Sequence, residues 1–333
     1  MDIEYHILMD IILIVSLLGL GIGFYLKDKR HHKFRLVGLV FFGIFWVLQT
    51  PYFVNIGDFF NALVCMLALP FYSYLGYHEY LSYIWDEEIK SLKWITGASF
   101  FAAGLYFLID RIPILSGYVI YGVAVQTVWL VNVFGLGYGV GDINYAGNPL
   151  LYRTNYNEIS VPIEGSSVAI IQSCTAIQSM LIFIGAIYCV QALKRHKWNA
   201  FFATVPVIYV LNLIRNLGII YMMDVLDWSY EFSHNTVGKA GSFLALIILA
   251  FIAFKLLPEL LDNIWGIIDL RDRGKKKEEE EKGDVEKGKL EEEEYGEVVE
   301  EKGGLEKEDH EKVIEKRGEH DERVGEEESG VKE

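Results

Sequence analysis

EGSSVAIIQSCTAIQSMLIFIG, residues 164–185, sets one thiol, Cys174, among small and hydroxylated neighbours at the head of a long uncharged run. Read with the residues that follow, the run extends over 167–192, which is more than the roughly 20 residues a membrane-spanning helix needs. Seven other apolar runs approach that length, near 7–26, 36–54, 59–77, 94–109, 117–135, 200–222 and 238–257. The fold class is therefore an all-α, polytopic membrane bundle of seven or eight transmembrane helices.

Composition supports the same class. Hydrophobic residues make up 52% of the 333-residue chain. The net charge of -15 is misleading, because from Lys275 onward 25 acidic side chains face 13 basic ones, leaving the body near -3. Nothing is basic enough for a nucleic-acid partner. The three cysteines, Cys65, Cys174 and Cys189, all lie in apolar runs and imply no disulfide framework. The first run, 7–26, lacks a basic leader and a small-residue cleavage site, and reads as a retained helix.

The sequence divides into a membrane domain (1–258), an amphipathic segment (259–273) expected to lie along the inner surface, and a Glu/Lys/Gly-rich tail (274–333). Such a tail buries too little apolar surface to repay ordering. Two basic loops, KDKRHHKFR (27–35) and KRHK (194–197), belong on the cytoplasmic side by the positive-inside rule. Five apolar runs separate them, an odd number, so one run must not cross. The expected exception is 117–135, with Gln126, Thr127 and Asn132, lying flat or dipping back at the outer interface. The loop 136–166, glycine-rich at GLGYGVGD and then partly alternating, reads as a β-hairpin over the outer face. Its glycines lack the strand and helix of a nucleotide-binding unit. This topology places Cys174 about 11 Å inside the helix 167–192. It also places Arg215 in the outer half of the next helix and His234 in the outer loop 223–237, while the tail is cytoplasmic.

These three residues carry the chemistry. An arginine inside a membrane helix costs at least about 2.5–3.5 kcal/mol on insertion scales, so Arg215 requires a partner or a function. Asn212 and Asn216 give its helix a polar patch; a bland alternative is that Arg215 snorkels or pairs with Asp224 or Glu231. A purely apolar setting would silence a thiol, so a reactive Cys174 needs cations or donors nearby. His234 is the natural base at neutral pH, with Lys239 as a fallback cation. No metal set is read, because His31, His32 and His78-Glu79 lack a second helical ligand at i+4. No cofactor is expected, and no Gly-x-Ser-x-Gly elbow occurs.

At three segments the chain resembles the exosortase/archaeosortase family of multipass membrane cysteine transpeptidases. They are Ser173-Cys174-Thr175-Ala176-Ile177-Gln178-Ser179, then Asn212-Leu213-Ile214-Arg215-Asn216, then the His234 region, in the order Cys, Arg, His. The resemblance covers roughly 150–258, and the upstream helices more weakly. It implies that Cys174 is the nucleophile, Arg215 the cationic stabiliser and His234 the base or acid, with Lys239 competing for the third place. Asn212, Asn216, Gln178 and Ser173 are the supporting polar residues. The implied substrates are secreted proteins ending in a short motif, a hydrophobic helix and a basic cluster, with a Pro-Gly-Phe motif and surface-layer proteins in the archaeal branch. Transfer of the new C-terminus to a membrane lipid, at the outer side of the cell membrane, is implied as well. Two other classes stay open on the residues alone: a transporter or channel using Arg215 for an anionic substrate, and a scaffold that binds partners through its acidic tail.

Overall fold

The computed structural model describes residues 3–146, 154–160 and 167–275, together with 277–279, 282–283 and 287. Two compact units divide the chain, 1–268 and 269–333. The first is a helix bundle built from α1 (Ile3–Tyr25), α2 (His31–Leu48), α3 (Thr50–Asn55), α4 (Phe59–Trp85), α5 (Lys90–Arg111), α6 (Pro113–Val133), α7 (Ile177–Cys189), α8 (Lys194–Asp224), α9 (Lys239–Leu256) and α10 (Pro258–Ile268). Between α6 and α7 lies a three-stranded antiparallel sheet, β1 (Gly139–Ala146), β2 (Thr154–Ser160) and β3 (Ser167–Ile170), in the order β1-β2-β3. The second unit opens with a 3-10 turn, Asp269–Asp272, and the tail read as disordered lies almost wholly outside the described residues.

Seven helices among the described residues are long and apolar enough to cross a membrane: α1, α2 with α3, α4, α5, α6, α8, and α9 with the π-helical turn before it. The run 167–192 corrects the sequence reading. Its first residues form β3, a 3-10 turn (Gln172–Cys174) follows, and only 13 residues form α7. At 1.5 Å per residue that helix is about 20 Å long, short of the roughly 30 Å hydrocarbon core.

Contacts sort the loops between two ends of the bundle. At one end Lys29 pairs with Asp86 at 3.2 Å, and His31 and Arg35 meet Glu88, tying the α1–α2 connection to the α4–α5 connection. The start of α5 packs there too, as Trp94 clusters with Ile187, Val190, Ala200, Ala253, Leu257 and Leu260. The basic stretches 27–35 and 194–197 therefore share one end. Tyr5 donates to the Leu48 carbonyl at the other end, Arg111 pairs with Asp10, and Lys239 pairs with Asp58.

Consequently Ile112 and Ile171 lie at the same end, since α7 runs antiparallel to α5, with Gly97 beside Cys189 and Gly185 beside Ala98. The α8 residues packed in the cluster around α6 are Tyr209, at the middle of α8, and Leu213, Leu217 and Ile220 in the half nearer Asp224. By length and composition α6 is one of the helices able to cross a membrane.

Close approach of α1 and α2 is set by a stripe of small residues, Ser16, Gly19 and Gly23, facing Gly38 and Arg35. A Cβ on Gly38 would lie 2.5 Å from the Leu20 nitrogen, whereas one on Gly104 of α5 meets nothing within 4 Å. Gly38→Ala should therefore cost about 1–3 kcal/mol through overpacking. Gly104→Ala should gain up to about 1 kcal/mol from helix propensity. Thermal melting of the detergent-solubilised chain checks the pair, and equal shifts would refute the packing argument.

Candidate active site

Cys174 is buried, at 6% exposure, but it does not sit inside a helix as the sequence reading had it. Local polar chemistry explains the difference. The Cys174 N–H donates to the Ile171 carbonyl at 2.9 Å, and the Thr175 hydroxyl donates to the Gln172 carbonyl at 2.6 Å. Short hydroxylated side chains that bond their own backbone compete with helix formation. Ala176 then adopts a left-handed conformation (φ 62°), an unusual state for a residue with a Cβ, and α7 starts at Ile177. The turn carrying Cys174 packs with Ile120, Val123, Val128 and Val131 of α6, Tyr138, Ile170 and Ile220 of α8.

From α8 comes the anchor for that turn. Asn212 and Asn216 both donate side-chain N–H groups to the Cys174 carbonyl, at 2.7 and 3.2 Å. Spaced four residues apart, they lie on one face of the helix and bracket Arg215. The thiol's own main chain is thus tied to the helical turn that carries the guanidinium. Ser173 and Gln178, the other two supporting candidates, are exposed.

Arg215 is half-buried, and its partners lie across the groove to α9 rather than at Asp224 or Glu231. Its Nε donates to the Gly238 carbonyl at 3.2 Å, and a terminal nitrogen lies 3.4 Å from His234 Nε2. Because a guanidinium only donates, Nε2 is the accepting nitrogen and the ring proton sits on Nδ1, facing Asn235 Oδ1 at 3.2 Å. Gly238 is small for a reason: a Cβ there would lie 3.3 Å from Arg215 Nε and 3.0 Å from Ile219.

His234 also departs from the expected loop. It lies in a π-helical turn, Glu231–Gly238, that runs directly into α9. Wide turns of this kind recur at functional sites, since they displace side chains from the ordinary helical register. Tyr230 stacks on the His234 ring, centroids 5.0 Å apart and planes 13° from parallel. Burial pushes the Tyr230 phenol up, negative charge on Cys174 pushes it the same way, and Arg215 opposes both. One tyrosine therefore senses the thiol and the guanidinium while touching the imidazole. Sequence reasoning missed it, although it precedes His234 by four residues, a same-face spacing on a helix. Lys239, the fallback cation, is already engaged: its Nζ pairs at 2.9 Å with Asp58, the N-cap of α4. Burial raises the Asp58 carboxyl, but Lys239 and Asn61 together bring it below the usual range.

The family model described as transmembrane exosortase (Exosortase_EpsH) matches residues 6–252. Archaeosortase A of Natronomonas pharaonis is 24% identical over 243 residues, which cover 66% of this chain and 74% of that protein. Archaeosortase A of Haloferax volcanii is 24% identical over 264 residues, covering 69% of this chain and 82% of its own. No solved structure matches the chain.

Replacing both asparagines, Asn212→Leu with Asn216→Leu, strips the Cys174 carbonyl of its two donors. Leaving a buried acceptor unpaired costs about 1–3 kcal/mol. The double variant should melt earlier in detergent and its Cys174 should alkylate faster with a maleimide. Unchanged melting and labelling would show that the two bonds do not hold the turn.

Proposed function

The chain belongs to the transmembrane exosortase family, and from that premise we propose that it is a membrane-embedded cysteine transpeptidase in which Cys174 is the nucleophile, Arg215 the electrostatic stabiliser and His234 the proton carrier. The observation that carries this reading is the shared scaffold: α8 holds the Cys174 carbonyl through Asn212 and Asn216 and, between them, presents Arg215 to His234. Archaeosortase A relatives matching most of the chain support the same class of reaction.

The substrate in this proposal is a secreted protein ending in a short motif of the Pro-Gly-Phe type, a hydrophobic helix and a basic cluster. Its helix enters among the apolar helices, and the scissile peptide stops at the outer interface. His234 takes the thiol proton on Nε2, giving up the Arg215 hydrogen bond that Nε2 accepts at rest and freeing that donor for the substrate, and the Cys174 sulfur attacks the peptide carbonyl carbon. Charge develops on the carbonyl oxygen, where Arg215 stabilises it in a poorly hydrated setting. His234 then returns its proton to the leaving amine, the C–N bond breaks and a thioester remains on Cys174. A lipid nucleophile, or water, attacks that thioester and releases the thiol. Exclusion of water favours transfer over hydrolysis.

Orientation follows from the basic stretches 27–35 and 194–197, which belong with the cytoplasm. The end bearing Cys174, Arg215 and His234 then faces outward, α6 and the strands remain at that outer end, and the tail lies inside. In this arrangement 1–258 is the catalytic membrane domain and 274–333 a solvated appendage. Of α10, which opens the amphipathic segment 259–273, Leu260 is buried in the Trp94 cluster while Trp265 and Ile268 are exposed, as suits a helix at the inner surface.

Two predictions test the proposal in cells that co-express a tailed surface protein, read by mass of the product's C-terminus. Cys174→Ala should insert normally and leave the tail uncut; trimming by that variant would end the thiol mechanism. A product with a free carboxylate in wild-type cells would refute lipid transfer alone. Arg215→Lys should lose about 10²–10³-fold in rate, the cost of removing a preorganised oxyanion donor, because an ammonium lacks the rigid fork whose separate nitrogens reach the Gly238 carbonyl and His234. Full activity of wild type after thiol alkylation would instead favour a transporter that uses Arg215 for an anion.

A further inference from the structure

At the bundle end opposite Cys174, five ionisable side chains from two separated stretches, 31–35 and 79–88, converge. Arg35 is 1% exposed and Glu79 is 0% exposed, both inside the bundle wall. Arg35 donates to the Gly23 carbonyl at 2.8 Å, reaches Glu79 Oε1 at 3.4 Å and Glu88 Oε1 at 3.1 Å. Each carboxylate thus spends one oxygen on the guanidinium. The second oxygens turn to two adjacent histidines.

His32 Nδ1 lies 2.7 Å from Glu79 Oε2, and His31 Nδ1 lies 2.6 Å from the Asp28 carbonyl. A carbonyl oxygen only accepts, so His31 carries a proton on Nδ1, and in the neutral ring its Nε2 bears the lone pair. The carboxylate of Glu79 fixes His32 in the same way. That is the arrangement metal-binding histidines show, one nitrogen held by an oxygen acceptor while the other ligates. His31 Nε2, on a residue only 8% exposed, makes no hydrogen bond. It nevertheless lies 2.6 Å from Glu88 Oε2. With a neutral ring, two acceptors face each other at that distance and require a cation, a proton or a metal ion, between or beside them. One ligand atom from each of His31, His32 and Glu88 lies within 4.8 Å of the others.

We propose that His31, His32 and Glu88 form a divalent transition-metal site, of the zinc class, that clasps the α1–α2 connection to the α4–α5 connection. Two imidazoles and one carboxylate suit a borderline ion rather than magnesium or calcium, which prefer oxygen throughout. Three protein ligands leave a fourth position for water, and the Glu88 side chain, 38% exposed, supplies the entry path. Ligands on a tetrahedral ion with bonds of about 2.0–2.1 Å stand roughly 3.3 Å apart. Glu88 must therefore swing back by several tenths of an ångström, which its place in a loop permits. A proton on His31 would satisfy the His31–Glu88 pair alone and leave His32 outside it; an ion engages all three. The sequence reading of no metal set followed from searching single helices, and Glu88 stands 56 positions beyond His32.

The test uses the full chain in detergent, without a polyhistidine tag and stripped by chelator, titrated with Co2+ and followed by its visible ligand-field absorption. One Co2+ per chain in a tetrahedral spectrum, displaced by Zn2+, is expected. The His31→Gln/Glu88→Gln variant should take up none, and Glu79→Gln should bind about 10–100-fold more weakly through loss of the fixed tautomer. Should the double variant fail to fold, zinc-edge absorption of the wild type decides, with a shell of two imidazoles and oxygen expected. No stoichiometric uptake by wild type would overturn the site and show a proton-bridged pair instead; so would full uptake by a folded double variant, or a shell containing sulfur or lacking imidazole.

Discussion

A guanidinium in an apolar helix is the constraint on which the candidate site depends. Arg215 brings a charge that cannot be left bare among hydrocarbon, and its nearest acceptors are on another element, the turn entering α9. Satisfying them draws the Glu231–Gly238 turn onto α8 and fixes where His234 can be. The same face of α8 supplies Asn212 and Asn216 to the Cys174 carbonyl. One helix thereby gathers two segments that would otherwise have no reason to meet, since neither the 3-10 turn nor the π-helical turn has a long apolar face of its own.

Arg35 plays the matching part at the far end. It is more deeply buried than Arg215 and answers to two carboxylates besides the Gly23 carbonyl, where Arg215 meets neutral acceptors alone. Breaking such a pair leaves an uncompensated charge, typically a cost of about 3–5 kcal/mol. Partial burial raises the Glu88 carboxyl, but the Arg35 charge and hydrogen bond bring it net below its usual range. The contrast in partners has a functional meaning. A cation saturated by carboxylates is a fastening, whereas a cation facing a carbonyl and an imidazole retains potential to offer an incoming anion.

Much of this was legible in the sequence, for physical reasons. Apolar length marks the helices because lipid leaves the backbone no other partner. The basic loops at 27–35 and 194–197 forced an even number of passages between them, and the contacts do place both at one end. Cys174, Arg215 and His234 were visible as the polar exceptions in apolar surroundings. What failed was local. The run 167–192 has apolar content enough for a helix, yet its first third is paired as β3 and then turned by Thr175, because hydrophobicity does not report where hydroxyls bond. Tyr230 looked like any interfacial aromatic, and the partners of His31 and His32 were hidden by distance along the chain.

The breaking of that helix is what makes the thiol reading chemically coherent. A cysteine in mid-helix is surrounded by N–H groups already spent on carbonyls one turn back. Cys174 instead precedes α7 by three residues, and the first N–H groups of a helix have no intrahelical acceptor. They carry the positive end of the helix dipole, which favours negative charge placed close to it. Under the proposed chemistry negative charge appears twice, on sulfur and then on the carbonyl oxygen. Two independent sources of positive potential then flank one turn: Arg215 from α8 and the amino end of α7. The left-handed Ala176 fits this geometry, because it redirects the chain between the turn and the helix so that Cys174 is not absorbed into the first helical turn. Backbone strain of this sort, of order 1–3 kcal/mol, persists where the surroundings fix it. Here the two asparagine bonds to the Cys174 carbonyl and the packing of Ile170 and Cys174 against α6 are the surroundings that do so.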